Sequence, residues 1–350
     1  MRKTKTSSRL FALLLTLVML AGLFPAMTQP ALAVDVSGLP EFTSWAAMGT
    51  DTEFKISSEA SLRALASAVA WDDANGTYKM SGITFYLAKD IALTGDWTPI
   101  GNTVTYPADA FAGTFDGQGY TISGLSITAT TYQGLFSRTN GATIKNLNVE
   151  GNINCGTSNY VGGIAGWAQN TRFENCSFAG SVKGGYTGGI VGSLNSTGTV
   201  ITSCVNTANV EGTYAGGILG YNTANNTITD CYNTGKITGS TRSGGIIGQS
   251  TGTISNCYSI GEIVGTGTAT FGGIYGFSGA TINNCYYLHP ADNTKAGGTP
   301  SGTGVTKINA PADLPASMLG SAWKDDPGFN GGYPVLDWQG AHDLPPSIRL

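Results

Sequence analysis

The chain has 350 residues, a formal net charge of −4 and 51 glycines, and only 11% of its residues are charged. Charged residues make up ~25% of an ordinary soluble domain, so uncharged polar residues and glycine must cover much of this surface. An acidic chain is a poor match for nucleic acid or for an anionic membrane surface, because both attract basic patches. We therefore predict no nucleic-acid partner.

Residues 1–33 are typical of a secretory signal peptide. Four basic residues lie within positions 2–9, an apolar run covers positions 10–23, and Ala31-Leu32-Ala33 forms a small-residue cleavage site. Cleavage between Ala33 and Val34 leaves 14 basic and 22 acidic residues, a net charge of −8. The apolar run is shorter than the ~20 residues of a membrane span. We predict a secreted, extracellular protein, associated with the cell surface, with no membrane span in its mature chain.

The segment 34–110 lacks the repeats found later in the chain, and we predict that it forms an N-terminal cap. Ser57-Ser58-Glu59 supplies a hydroxyl cap and an acid for the start of a helix. Apolar residues with helical spacing come next, at Leu62, Leu65, Ala66 and Val69. A helix in this position would cover the first open coil of a solenoid.

Between residues 111 and 288 one pattern recurs, with Gly-Gly-Ile-x-Gly as its clearest form. The glycines before the aliphatic residue lie 29, 26, 28, 28 and 28 residues apart, at positions 134, 163, 189, 217, 245 and 273. A fixed period in this range marks a solenoid, whereas a propeller repeats at roughly 40 residues with hairpins. We predict an all-β protein, a right-handed parallel β-helix.

Aligned coils form columns of like residues. We expect an apolar column to point into the core: Ile144, Phe173, Ile201, Ile228, Ile254 and Ile282. A turn column should bond backbone groups where the strand bends: Asn146, Asn175, Ser203, Asp230, Asn256 and Asn284. A glycine column at 184, 212, 239 and 265 should permit positive φ at a corner. After residue 288 the pattern stops, and we predict a linker and a C-terminal cap over 289–350.

The Gly-Gly-Ile-x-Gly core, the cysteine that comes after it and the segment Gly113-x-Phe-Asp-Gly-x-Gly-Tyr-x-Ile122 resemble the GLUG-motif repeats of secreted bacterial surface proteins. The resemblance covers about residues 55–340 and implies a β-helical surface or extracellular module. Such modules also occur beside the protease domain of IgA-cleaving metallopeptidases. This chain has no His-Glu-x-x-His and only two histidines, His289 and His342, and the family supplies no catalytic residues to carry over.

The cysteines form a further column, which we predict to be a structural ladder of buried free thiols. Stacked parallel positions hold their Cβ atoms ~4.8 Å apart and parallel, beyond the ~3.5–4.5 Å of a disulfide. A zinc site needs converging ligands with short spacing, so we expect no metal and no cofactor. Cys155 stands outside the column and should be more exposed. The ladder consists of Cys176, Cys204, Cys231, Cys257 and Cys285.

Carboxylates are too sparse in the repeats to predict catalysis. Polysaccharide-cleaving sites need paired acids, or acids that bind Ca²⁺ beside a basic residue. No coil supplies a pair within four residues; the acids are Asp116, Glu150, Glu174, Glu211, Asp230 and Glu262. We therefore predict that the protein is not an enzyme and has no catalytic residues.

Aromatic rows are the strongest binding signal in the sequence. The residue after the cysteine column should face outward if the cysteine faces inward, which selects Tyr232, Tyr258 and Tyr286. The position after the Gly-Gly-Ile-x-Gly motif selects Trp167, Tyr221 and Phe277. Rows of this kind can stack on sugars or anchor a partner protein, or simply stabilise neighbouring coils. A third column, Tyr160, Tyr186, Tyr214 and Phe271, is expected to pack inward.

These observations predict a secreted, non-catalytic β-helix that acts in adhesion or ligand binding. The expected ligand is a glycan or a surface protein, and the expected state is a monomer. Two alternatives stay open: a polysaccharide lyase or glycoside hydrolase on the same fold, and a structural spacer of a larger envelope protein. Fold alone is a weak guide among the three.

Overall fold

The computed structural model of the protein describes residues 33–69, 80–101, 110–128, 132–156, 160–194, 196–266, 270–288 and 304–339. The predicted signal peptide as far as residue 32, the predicted linker over 289–303 and both histidines lie outside these residues. Ala33 and Val34, the predicted cleavage site, have no regular secondary structure. Residues Asp35–Leu350 form one compact unit.

This unit is a parallel β-helix of about seven turns of about 28 residues, so the predicted all-β fold is confirmed. The first ladder of in-register parallel strands holds the predicted apolar column on its inner face. Its strands are Glu53–Ile56, Thr84–Leu87, Thr114–Asp116, Thr143–Asn154, Arg172–Lys183, Val200–Thr202, Thr227–Thr229, Thr253–Ser255 and Thr281–Asn283.

Further ladders lie around each turn of the coil. The two long strands Thr143–Asn154 and Arg172–Lys183 continue into the second ladder, with Ile91–Ala92, Thr121–Ile127, Val205–Asn206, Tyr232–Asn233, Tyr258–Ser259, Cys285–Leu288 and Val305–Ile308. A third group of parallel strands follows the second ladder in the same sheet. Its strands are Tyr160–Gly162, Tyr186–Gly188, Asn209–Gly216, Ile237–Gly244, Ile263–Gly265 and Thr270–Gly272.

A second sheet closes the coil on its other side, and its strands also pair in parallel. They are Phe136–Asn140, Ala165–Gln169, Val191–Leu194, Leu219–Asn222, Ile247–Ser250 and Tyr275–Ser278. The hydrophobic core lies between the two sheets. The cysteine ladder points into it, as predicted, and all five side chains are fully buried.

The corner between the first and second ladders is made by one left-handed residue in each coil. The turn column supplies it, with φ between 51° and 53°, a conformation that Asn and Asp adopt more readily than other residues with a Cβ. The amide of Asn175 donates to Asn146 Oδ1 at 3.0 Å, and that of Asn284 donates to Asn256 Oδ1 at 2.9 Å. These side chains therefore bond to the next coil, in place of the local backbone groups that we expected.

The predicted role of the glycine column is wrong. None of Gly184, Gly212, Gly239 and Gly265 has a positive φ. They are needed because the neighbouring strand leaves no room: a Cβ at Gly212 would lie 2.5 Å from Thr187 Oγ1. The motif glycines obey the same rule, since a Cβ at Gly192 would lie 2.5 Å from the backbone nitrogen of Val161. Gly-Gly-Ile-x-Gly thus marks a place where the backbones of two strands come too close for a side chain between them.

The N-terminal region combines a cap with the first rungs of the solenoid. Helix α1, Glu59–Val69, buries Leu62 and Leu65 against the core as predicted. The strand Glu53–Ile56 pairs in register with Thr84–Leu87, and Thr84–Leu87 pairs with Thr114–Asp116, so the parallel ladder begins well before residue 111. The short 3-10 turn Trp45–Ala47 precedes them.

The C-terminal residues 304–339, here called the closing segment, fold back along the side of the solenoid. After its first strand the segment forms 3-10 turns at Pro311–Asp313, Ala316–Met318 and Asn330–Gly332, and an antiparallel pair, Trp323–Lys324 with Val335–Leu336. The indole of Trp338 donates to Ser203 O at 3.0 Å and that of Trp323 to Asp230 Oδ1 at 3.3 Å. The predicted C-terminal cap is therefore a cover for the side of several coils.

Among the residues that the structure describes, no helix is long and apolar enough to cross a lipid bilayer.

Candidate ligand-binding face

The predicted binding row Tyr232, Tyr258 and Tyr286, here called the covered column, is buried. Its exposed fractions are 1%, 0% and 7%. The side chains do point away from the cysteine ladder, as the alternation of a strand requires. The closing segment then packs on them: the ring of Trp323 lies 5.9 Å from that of Tyr232 and 5.3 Å from that of Tyr258. The predicted exposure of this row is wrong.

Each hydroxyl of the covered column has a partner within the protein. Tyr232 donates to Gln339 Oε1 at 3.0 Å, Tyr258 donates to Pro334 O at 2.5 Å, and Tyr286 donates to Asn284 Oδ1 at 2.7 Å. Tyr258 also accepts from the amide of Asn330 at 2.6 Å. These tyrosines hold the closing segment in place, and a ligand cannot reach them while it is there.

A different column is half-buried on the outer surface: Tyr132, Tyr160, Tyr186 and Tyr214, here called the tyrosine ladder. Their rings stack along the solenoid with centroids 5.1, 4.9 and 4.9 Å apart and planes within 16° of parallel. No hydroxyl of the ladder has a hydrogen bond to a described residue. The expectation of inward packing is wrong for Tyr160, Tyr186 and Tyr214 and right for Phe271.

The register explains the error. Tyr214 pairs with Arg242 and Arg242 with Thr270, so the column continues through these two residues. Phe271 pairs with Ser243, one position further on, and is 4% exposed against Val210 and Ile237. A shift of one residue in a strand moves a side chain to the opposite face, and Phe271 alone belongs to the inner column.

The predicted row Trp167, Tyr221 and Phe277 lies on three strands of the second sheet. Along this sheet its residues alternate in register with Arg138, Ser193 and Gln249. Phe277 is 49% exposed and Tyr221 is half-buried, as expected for an outer row, but Trp167 is only 6% exposed. The ring of Tyr221 meets Tyr186 edge-on at 4.8 Å and Tyr214 at 5.5 Å. Tyr221 therefore joins the outer row to the tyrosine ladder.

An arginine stands near each end of the tyrosine ladder. The guanidinium of Arg138 lies over Tyr132, 4.0 Å from the ring centroid. Arg242 lies 5.6 Å from the centroid of Tyr214 and 4.1 Å from that of Phe277, and it donates to Gln249 Oε1. Cation–π contacts of this kind hold a planar guanidinium against a ring.

The phenols of Tyr160 and Tyr186 are neutral at ordinary pH. Burial raises the pKa of Tyr160, and the neighbouring Tyr132 and Tyr186 raise it further. Burial, with Tyr214 and Tyr221, also raises the pKa of Tyr186. Each hydroxyl can therefore donate as well as accept a hydrogen bond.

The acids of the repeats serve the structure of the coils. Lys183 and Glu211 on successive coils form an ion pair at 2.7 Å, and Lys236 and Glu262 form another at 2.8 Å. Asp116 is 4% exposed and pairs with Lys145 at 3.3 Å. In the described parts of the chain no three His, Cys, Asp or Glu side chains are grouped to hold a metal.

The cysteine ladder is closed to solvent. Burial raises the pKa of Cys176 and Cys231 well above the ordinary value of a thiol, and that of Cys155 to about 11. Cys155 is 5% exposed, against 0% for each of the five ladder cysteines, so it is the more accessible thiol, as expected, although it too is buried. No disulfide joins the six cysteines, and thiols whose pKa is raised, as at Cys155, Cys176 and Cys231, are poor nucleophiles.

Comparison with known proteins supports the repeat pattern. The family model of the GLUG motif matches residues 157–183 and 211–238. The resemblance is thereby confirmed, and the chain carries GLUG-motif repeats. The first match contains Tyr160 and the second contains Tyr214, so the motif includes rungs of the tyrosine ladder. No curated protein matches the chain.

One solved structure has a similar fold. It is the crystal structure of "a putative immunoglobulin A1 protease from Bacteroides ovatus", with a TM-score of 0.61 and 20% sequence identity over 82% of this chain and 93% of that one. A likeness at this identity shows the shared architecture and transfers no activity.

Proposed function

We propose that this chain, which carries GLUG-motif repeats on a parallel β-helix, is a secreted, non-catalytic module that binds a glycan along its tyrosine ladder. The observation that supports this most strongly is the regular row of half-buried phenols whose hydroxyls have no hydrogen bond to a described residue. A sugar offers both the hydroxyls to pair with them and the apolar C–H surface to cover the rings.

Stacking alone does not account for the tyrosines. Each stacked pair contributes about 0.5–1.5 kcal/mol, and phenylalanine would supply that contact equally well. In the covered column the hydroxyls are used, because each one bonds to another group of the protein. In the ladder they are left for solvent or a ligand. The difference in partners favours a binding role for the ladder.

The repeat geometry favours a polymeric ligand. The rings recur every 4.9–5.1 Å along the solenoid, so the same contact is offered repeatedly in one direction. A polysaccharide lying parallel to this direction presents its own repeating units in the same way. The rings are already held by stacking and by the strand ladders, so little side-chain freedom is lost on binding.

The test is affinity electrophoresis of residues 34–350 through native gels that contain bacterial, plant or host polysaccharides. We expect retardation in at least one gel, and loss of that retardation in a Tyr160→Ala/Tyr186→Ala variant. Tyr120→Ala is the matched control, since Tyr120 is 37% exposed and lies outside both aromatic columns.

Three other outcomes would contradict the proposal. Free migration in every gel would favour a protein ligand or a structural spacer. A cleared track after staining for polymer would show cleavage, as expected of a lyase or hydrolase. Equal retardation of the wild type and the double variant would place the binding site on another face.

A further inference from the structure

The tyrosine ladder has a cation at each end. Arg242 occupies the position next to Tyr214 in the column, so an arginine replaces the next tyrosine. At the other end, Arg138 covers the ring of Tyr132. The ladder is thus a row of four tyrosine rings between two guanidinium groups.

The two arginines stand four coils apart. Arg138 pairs with Trp167, and the register then passes through Ser193 and Tyr221 to Gln249, the hydrogen-bond partner of Arg242. At the strand spacing of ~4.8 Å per coil, the two positions are separated by ~19 Å. This length requires an extended ligand if both are to be contacted together.

The charged side chains described in the two columns are both cations, whereas the whole chain is acidic. Besides Arg138 and Arg242, the two columns contain only aromatic, hydroxyl and amide side chains: Tyr132, Tyr160, Trp167, Tyr186, Ser193, Tyr214, Tyr221, Gln249, Thr270 and Phe277. The predicted mature chain has a net charge of −8. A local positive field on an acidic molecule selects an anion and steers it to that place.

We propose that the glycan bound by the tyrosine ladder is an extended anionic polysaccharide, whose acidic groups pair with Arg242 while neutral parts of the chain lie on the rings. This inference rests on the proposed function, because it names the ligand class of the same face. Guanidinium groups bind carboxylates and sulfates through paired, charge-assisted hydrogen bonds. The rings of Tyr214 and Phe277 orient the Arg242 guanidinium, and the phenols of the tyrosine ladder continue the same column.

A purely structural role for the arginines makes a different prediction. An arginine that only packs on a ring would affect stability, and its replacement would weaken neutral and anionic ligands equally. A role in recognition makes the effect depend on the charge of the ligand and on salt, because screening weakens attraction between exposed charges.

The experiment compares matched polymers in the same affinity gels: polygalacturonate with its fully methyl-esterified neutral form, and sulfated glycans with their desulfated forms. We expect the wild type to be retarded more by an anionic member than by its neutral partner, and less so at high salt. Arg242→Gln should weaken binding to that polymer by about ten-fold, the scale of one charge-assisted contact. Arg242→Lys should lose less, since it keeps the charge.

Arg172→Gln is the matched control, since Arg172 is exposed, pairs with Glu174 at 2.7 Å and lies on the first ladder, away from this face. Equal retardation by charged and neutral partners, unchanged by Arg242→Gln, would overturn the inference and leave glycan binding intact. Absence of retardation with any polymer would overturn both. Circular dichroism of each variant separates a binding defect from unfolding.

Discussion

The covered column and the tyrosine ladder are both rows of tyrosines that point outward from the same solenoid, yet their surroundings differ. Tyr258 is fully buried beneath the closing segment, and its hydroxyl contacts two groups there. Tyr186 is half-buried, its ring contacts three other tyrosines, and its hydroxyl has no hydrogen bond to a described residue. The outward direction of a side chain therefore does not settle its role; the segment that packs on it afterwards does.

The comparison also separates two uses of one residue type. In the covered column the phenol works as a core side chain with a polar end that must be paired, as buried polar groups generally are. In the ladder the ring stabilises the stack and the hydroxyl stays available. We expect the first column to control stability and the second to control binding.

The largest expected effect is on stability. Replacing Tyr258 by Ala removes a fully buried ring and leaves Asn330 and Pro334 without their partner, so we expect the free energy of unfolding to fall by about 3–5 kcal/mol. Tyr186→Ala should cost less than Tyr258→Ala, because it loses two stacked pairs and one edge-on contact, at about 0.5–1.5 kcal/mol each, but leaves no buried polar group of the closing segment unpaired. Urea denaturation monitored by circular dichroism measures both. Equal losses in the two variants would remove the distinction between the columns.

A smaller effect is expected where two strands come close together behind the ladder. A Cβ at Gly192 would approach three backbone atoms, with Val161 N the nearest at 2.5 Å. Gly192→Ala should therefore cost about 1–3 kcal/mol by overpacking and displace Tyr160 from Tyr186, which weakens glycan retardation. Gly279→Ala is the control, as the nearest atom there is Thr251 Cγ2 at 4.0 Å. A Gly192 variant as stable as this control would show that the two strands tolerate a side chain between them.

The smallest effect is on the alkaline titration of the two columns. Burial raises the pKa of Tyr258 well above its ordinary value of 10.0, and raises that of Tyr160 and Tyr186 as well. A raised folded pKa means that the native state keeps its protons longer, so this stability is complete below about pH 10 and declines as the pH rises further.

Tyrosinate absorbance against pH, with circular dichroism in parallel, separates the columns. In the wild type, part of the rise in tyrosinate absorbance should precede unfolding, and the Tyr160→Phe/Tyr186→Phe variant should lack that part. The Tyr258→Phe variant should lack only absorbance that rises within the unfolding transition, because the closing segment must leave before that phenol ionises. Loss before unfolding in Tyr258→Phe would show that the covered column is accessible.

The coil architecture was predictable because the period of the sequence and the alternation of strands are local. The cysteine ladder faces inward and the residues after it face outward, as that alternation requires. The burial of the covered column was not predictable in the same way. It depends on contacts such as Tyr258 with Pro334, 76 residues away, and Trp338 with Ser203, 135 residues away.

Two errors have local causes. The copy that contains Phe271 lacks the residue that stands between tyrosine and the glycine pair in the earlier coils. Aligning the copies by their aromatic residues therefore placed the inward-facing Phe271 in one column with the outward-facing tyrosines. The glycine columns were assigned to positive φ, whereas close strand packing explains them and the Asn, Ser and Asp column supplies the left-handed corner. A positive φ and a lack of space for a Cβ both favour glycine, so the sequence does not show which of the two applies at a given position.

Binding along the tyrosine ladder is tested most directly by the retardation of Tyr186→Ala and Tyr258→Phe in a polysaccharide gel that retards the wild type. We expect that Tyr186→Ala migrates freely although it is folded, and that Tyr258→Phe is retarded like the wild type although it is less stable. Retardation of folded Tyr186→Ala to the same extent as the wild type would contradict the claim that the tyrosine ladder is the binding face.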